Sequence, residues 1–113
     1  MDMTVGELGS GALCLALKGR LDTVGVDRIE RAFTDAVNTQ DRDAAVDLAG
    51  VAFLASMGVR LIIATARAQR ARGRKLVLFA PQPLVRQTLE MVALDQIIPV
   101  LTDRAAAEAS LAA

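Results

Sequence analysis

The sequence predicts a single α/β domain, residues 1–113, built on a mixed β-sheet with elements in the order ββαβαβαβα. Two observations carry the prediction. Short apolar or β-like runs, within residues 11 to 18, Ala44 to Leu48 and Lys75 to Ala80, read as strands, and the length of Ala44 to Leu48 suits a central one. Between them lie longer stretches whose apolar residues recur every three or four positions, as on one face of a helix. Such helices must cover mainly one face or one end of the sheet.

The elements follow in order. Residues 3 to 8 and 11 to 18 read as two strands joined by Gly9-Ser10-Gly11, a turn-forming trio that supports a hairpin. Gly19-Arg20-Leu21-Asp22-Thr23 breaks the second strand. Asp22 or Thr23 then caps a helix in which Val26, Ile29, Phe33, Ala36 and Val37 share a face. Asn38 to Asp43 is a polar loop, and Ala44 to Leu48 a short central strand ending at Ala49-Gly50. After a tight loop, a second helix opens at Ser56, whose hydroxyl suits a cap or a phosphate, and runs to about Arg72, with Gly73 as its C-terminal stop. Its narrow stripe of mostly small side chains, Leu61, Ala64, Ala68 and Ala71, is expected to lie on the sheet. Arg60, Ile63, Arg67, Arg70 and Arg74 fall on another face. That basic face has two readings: a solvated surface complementing the helix dipole, or a docking stripe for an acidic partner with an exposed Ile63 at its centre.

Lys75 to Ala80 is the next strand, and Pro81-Gln82-Pro83 ends it and starts a third helix with Leu84, Val85, Thr88, Leu89, Val92 and Ala93 on its apolar face. Leu94 to Val100 is a loop and a short last strand, which Pro99 assigns to the sheet edge. Thr102-Asp103 caps a closing helix, Arg104 to Leu111.

Composition narrows the function. Thirteen basic and thirteen acidic residues cancel, and three Phe are the only aromatics, so the basic surface and stacking platforms of a nucleic-acid binder are missing. Cys14, the single cysteine, sits in an apolar run and reads as a core residue of a protein from a reducing compartment. Neither a signal peptide nor a membrane anchor is recognisable, so the expected location is the cytoplasm. With no histidine, Ser-His-Asp and Cys-His hydrolases are excluded and the commonest metal ligand is gone. No phosphate loop, G-x-G-x-x-G, Cys-x-x-Cys or H-E-x-x-H motif occurs, and the carboxylates show no spacing that requires a metal. The reading is a non-enzymatic protein without cofactor or metal. A nucleotide-binding sensor domain is the alternative from a different class.

Gly19-Arg20-Leu21-Asp22, then Val46-Asp47-Leu48-Ala49-Gly50-Val51-Ala52-Phe53-Leu54, then Ser56-Met57-Gly58-Val59-Arg60-Leu61-Ile62 together resemble the STAS domain of anti-sigma factor antagonists. The likeness continues through Gly73–Leu78, Pro83–Leu89 and Leu94–Val100 and covers nearly the whole chain. It implies a mixed sheet with helices on one side and a role in partner switching. In that family the unphosphorylated antagonist binds an anti-sigma factor that is also a serine kinase of the histidine-kinase-like ATPase type. Phosphorylation of one serine blocks binding, and a serine phosphatase restores it.

The family motif Asp-Ser-[Ser/Thr]-Gly-[Leu/Met/Val] places the phosphorylated serine on Ser56 and the motif glycine on Gly58. Ala55 stands where the motif has aspartate, and Met57 where a second hydroxyl is usual. The resemblance thus implies phosphorylation at Ser56 and a partner surface of Asp22, Ala55, Ser56, Met57, Gly58, Arg60, Ile63 and Arg67. Ser56 as a plain helix cap, and Gly58 as a residue that only permits close approach of loop and helix, are the alternatives. A stand-alone STAS subunit of a transporter ATPase complex or a stressosome-like assembly, without phosphorylation, is the alternative function.

Overall fold

The structure, a computed structural model, describes residues 1–112. Its elements are β1 (Asp2–Glu7), β2 (Leu13–Leu21), α1 (Thr23–Gln40), β3 (Ala44–Leu54), α2 (Ser56–Ala71), β4 (Leu76–Phe79), α3 (Pro83–Met91), a 3₁₀ turn (Leu94–Gln96), β5 (Val100–Leu101) and α4 (Arg104–Leu111). They form one sheet of order β1-β2-β3-β4-β5, in which β1 runs antiparallel to β2 and all other pairs are parallel. The expected element order and mixed sheet are found, and β5 is an edge strand. The Gly9-Ser10-Gly11 hairpin is found too, closed by Leu8 N–H donating to the Ala12 carbonyl at 2.9 Å, with Gly11 at φ 87°.

Successive residues of a strand face opposite sides of a sheet, and here the alternation sorts side chains into two cores. Leu13, Leu15, Val46, Leu48 and Leu78 point to the side covered by α1, α2 and α3, where Phe33, Ile62 and Leu89 meet them. Cys14, Ala45, Val77 and Phe79 point to the other side, where Ala107 and Leu111 of α4 cover them. Three helices on one face and a short one on the other therefore make α4 the exception to one-sidedness. Full burial of a side chain such as Phe33 or Phe79 contributes about 1.5–3 kcal/mol. The four ion pairs found among the described residues are largely exposed, and pairs of that kind contribute roughly 0–1 kcal/mol each. Apolar burial is what holds the fold.

Two strands are longer than the sequence suggests. β2 continues through Gly19 to Leu21 and β3 through Gly50 to Leu54, pairing with each other across two register shifts. Gly19 takes φ 121°, a conformation few other residues adopt, so the glycine bends the strand at the irregularity where it was expected to end it. β4 pairs only with Ala44–Asp47 of β3, so the second half of β3 forms a two-stranded extension with β2 beyond the body of the sheet.

The helices also differ in which faces they bury. In α2 the buried residues are Gly58, Val59, Leu61, Ile62, Thr65 and Gln69, while Ala64 and Ala71 of the expected small-residue stripe are exposed. Branched apolar side chains remove more area from water than alanines do, and they set the rotation of the helix. Of the expected apolar face of the third helix, Val85 and Leu89 are buried, while Leu84 and Val92 are exposed.

Candidate functional site

The two-stranded extension carries β2 and β3 to the point where α1 and α2 begin. Leu21 pairs with Leu54 across the strands, and one residue further along each chain a helix is capped. Asp22 is the N-cap of α1, its carboxylate accepting from the Gly25 amide at 2.9 Å. That hydrogen bond, reinforced by Arg20, holds the Asp22 carboxyl below the usual carboxylate range. The Arg20 guanidinium sits 3.4 Å from Asp22 Oδ2 and also lies over the Phe53 ring, 4.4 Å from its centroid.

Ala55, half-buried and extended (φ −110°, ψ 176°), is the N-cap of α2. Its amide donates to the Leu21 carbonyl at 3.0 Å and its carbonyl accepts from Val59 at 3.1 Å. No loop separates β3 from α2. Ser56 is therefore the first helical residue, not the cap, which corrects the sequence reading: the cap position falls on a residue with no side-chain acceptor. The first-turn amides of α2 receive no side-chain cap, and the exposed Ser56 hydroxyl has no intramolecular partner among the described residues.

Gly58 is buried under this corner. A Cβ there would lie 2.7 Å from Leu21 Cγ, 2.7 Å from Leu54 Cδ1 and 2.8 Å from the Leu21 carbonyl oxygen. Real atoms do not approach that closely, so only glycine lets the first turn of α2 rest on the end of the strand pair. Close approach accounts for this glycine.

Met57 is half-buried against the main core and receives the Arg60 guanidinium, with Nη1 at 3.9 Å from its sulfur. Ser56, Arg60, Ile63 and Arg67 follow one another at steps of four, three and four, which places them along one stripe of the helix. Ile63 is half-buried and packed on the core, not the exposed centre of a surface, because its side chain sits at the margin of the α2 packing face. Arg60 and Arg67 are exposed beside it. The structure thus brings Asp22, Ala55, Ser56, Met57 and Gly58 together at one corner. The stripe through Arg60, Ile63 and Arg67 leads away from it.

Arg20 and Phe53, which line the same corner, were not singled out by sequence. Ending the strands at residue 18 and Leu48 hides the Arg20–Phe53 cross-strand pairing, for which the apolar run Val51–Leu54 is the signal in the sequence. Cys14 is buried, and burial pushes its thiol above the ordinary value, as expected of a core cysteine. Among the described residues no helix is long and apolar enough to cross a membrane.

Comparison with known proteins agrees with this architecture. The chain is 27% identical over 110 residues to BtrV of Bordetella bronchiseptica, a protein named as an anti-sigma factor antagonist, covering 97% of this chain and 94% of that one. A STAS-domain anti-sigma-factor antagonist from Planctomyces limnophilus superposes with a TM-score of 0.88 at 19% identity, over all of both chains. An anti-sigma factor antagonist from Mycobacterium paratuberculosis gives 0.88 at 22% identity, over 97% of this chain and 92% of that chain. The STAS domain family model matches residues 7–107, from the end of β1 into α4. With the family model matching all but the two ends of the chain, the chain belongs to the STAS domain family.

Proposed function

We propose that this protein is a non-enzymatic, cytoplasmic anti-sigma factor antagonist that acts by partner switching. Its partner is an anti-sigma factor with serine kinase activity of the histidine-kinase-like ATPase type, and a serine phosphatase resets it. The observation that carries this reading is the exposed, unpartnered Ser56 hydroxyl on the first residue of α2. The likeness to BtrV supports an anti-sigma factor as the partner. The docking surface comprises Asp22, Ala55, Ser56, Met57 and Arg60, continuing along α2 to Ile63 and Arg67, with Gly58 beneath it setting the height of the corner.

The switch follows from electrostatics. A phosphate on Ser56 adds about 1.5 to 2 negative charges at a helix N-terminus, where uncapped amides and the helix dipole tolerate it. The isolated fold survives. A docked complex does not, because the same charge pressed against a partner without a matching cation loses its hydration.

The test is incubation with the cognate anti-sigma kinase and ATP, followed by intact mass, on wild type and Ser56→Ala. One added phosphate on wild type and none on the variant supports the switch. No added phosphate, where a control antagonist gains one, overturns it. Ala55 at the position of the motif aspartate favours a second reading. In it the corner docks constitutively, as a subunit of a transporter ATPase complex or stressosome-like assembly. Co-purification with such an assembly and an unmodified Ser56 would support that role.

A further inference from the structure

The last strand leaves part of its neighbour uncovered. β5 pairs only with Leu78 and Phe79, so Leu76 and Val77 of β4 meet no strand on that side. An open cavity of about 590 Å³ lies there, between α2, the β4 edge, residues 97–99 and Ser110 of α4. That volume is in the range of small-molecule sites.

Its lining divides sharply. Ile63, Leu76, Val77, Ile97, Ile98 and Pro99 supply an aliphatic wall without any aromatic ring, and Ile97 keeps 67% of its surface exposed. Arg67, Arg70, Arg74 and Lys75 supply the cations. Arg74 is paired with Asp41 at 3.3 Å; the side chains of Arg67, Arg70 and Lys75 have no ion-pair partner among the described residues, and no described carboxylate lines the cavity. In a chain of zero net charge this is a local excess of one sign beside apolar surface.

We infer that this groove binds a single-chain anionic amphiphile, a fatty acid or a close chemical relative, with the acyl chain on the aliphatic wall and the acidic head at Arg70 and Lys75. The chain removes exposed apolar surface such as Ile97 from water, and the head supplies the charge that the guanidinium and ammonium groups lack. A ring system would find no aromatic face to stack on. A cationic amphiphile of the same length would meet three unpaired like charges, at Arg67, Arg70 and Lys75.

The site is separate from Ser56. Arg70 lies fourteen positions beyond Ser56 in α2, about 21 Å along the helix axis. The groove shares Ile63 and Arg67 with the proposed docking surface, but Arg70 and Lys75, which take the acidic head, lie outside it, and the inference is tested on the isolated protein without a partner.

The probes are decanoate, below its micelle concentration, and decyltrimethylammonium, each titrated into ¹⁵N-labelled protein. Saturable amide shifts centred on Ala66, Arg70, Leu76 and Ile98 with decanoate, and affinity at least about tenfold weaker for the cation, are expected. The Arg70→Glu/Lys75→Glu variant should lose at least about tenfold in decanoate affinity while keeping its circular dichroism and melting temperature. Both side chains are exposed, and Lys75 serves the fold through its backbone groups. Equal binding of the two probes, shifts elsewhere, an unchanged affinity in the folded double variant, or binding to phosphatidylglycerol vesicles without a saturable decanoate site would each overturn the inference.

Discussion

Gly58 and Leu21 are in such close apposition that the first turn of α2 rests directly on the end of β2, with no volume left for a methyl group. Replacing Gly58 with alanine should cost about 1–3 kcal/mol, the usual penalty for overpacking. Urea denaturation checks this. A destabilisation below about 0.5 kcal/mol would show that Leu21 and Leu54 yield more readily than the close packing implies.

Ala55 occupies a cap position with no side chain to serve it. Ala55→Asp should stabilise the protein by about 0.5–2 kcal/mol, because a carboxylate there can accept from a first-turn amide of α2 and meets the positive end of the helix. The midpoint of urea unfolding should rise with an unchanged slope.

Ser56→Asp places a negative charge on the same turn. Stability should hold or rise, by about 0.3–1 kcal/mol, since acidic groups are favoured at helix N-termini. Binding to an anti-sigma partner should nonetheless be lost, as read by calorimetry against wild type. Equal binding by both forms would separate the corner from the switch.

At Asp22 the linkage has a definite sign. The folded-state carboxyl is held below its ordinary value, first by the Gly25 amide and then by Arg20. Its contribution is fully present above the unfolded-state value near pH 4 and is lost as pH falls through the depressed one. Asp22→Asn keeps a capping oxygen and should flatten this part of the acid limb, whereas Asp22→Ala should lower the melting temperature by a few degrees at neutral pH. Thermal melts from pH 2 to 7 compare the three proteins.

Gln69 is fully buried near the end of α2. Its amide nitrogen donates to the carbonyls of Arg42 at 2.8 Å and Lys75 at 3.1 Å, and its oxygen accepts from Arg72 at 2.7 Å. Gln69→Leu keeps the bulk and strands these partners, for an expected loss of about 1–3 kcal/mol in urea unfolding. In the sequence Gln69 is one more polar residue on an arginine-rich helix, and nothing there distinguishes it.

The legible parts of the chain were those governed by local pattern. Val26, Ile29, Phe33 and Val37 repeat at helical spacing and are all buried, and Asp22 and Asp103 cap the helices they precede. The Gly9-Ser10-Gly11 turn and the stop at Gly73, which takes φ 73°, follow equally local rules. What escaped depended on partners distant in sequence. Residues 49–54 look like a loop until β2 is beside them, because Ala49, Gly50 and Ala52 carry little strand preference by themselves. In α2, Leu61, Ile62 and Ile63 are consecutive and alanines follow them on several faces, so the pattern alone does not choose the buried face; the strands beneath turn Leu61 and Ile62 inward. Ser56 was located, but its place one residue inside the helix depended on where β3 ended.

The single residue between β3 and α2 makes chain length itself a determinant of the surface. An α-helix turns about 100° per residue, so inserting or deleting one residue at Ala55 would swing the stripe of Ser56, Arg60, Ile63 and Arg67 by more than a quarter of a turn while Gly58 lost its seat. Substitutions can accumulate around this corner. A change in the count of residues cannot be absorbed there, and variation in length should be confined to the loops at the opposite end of the strands.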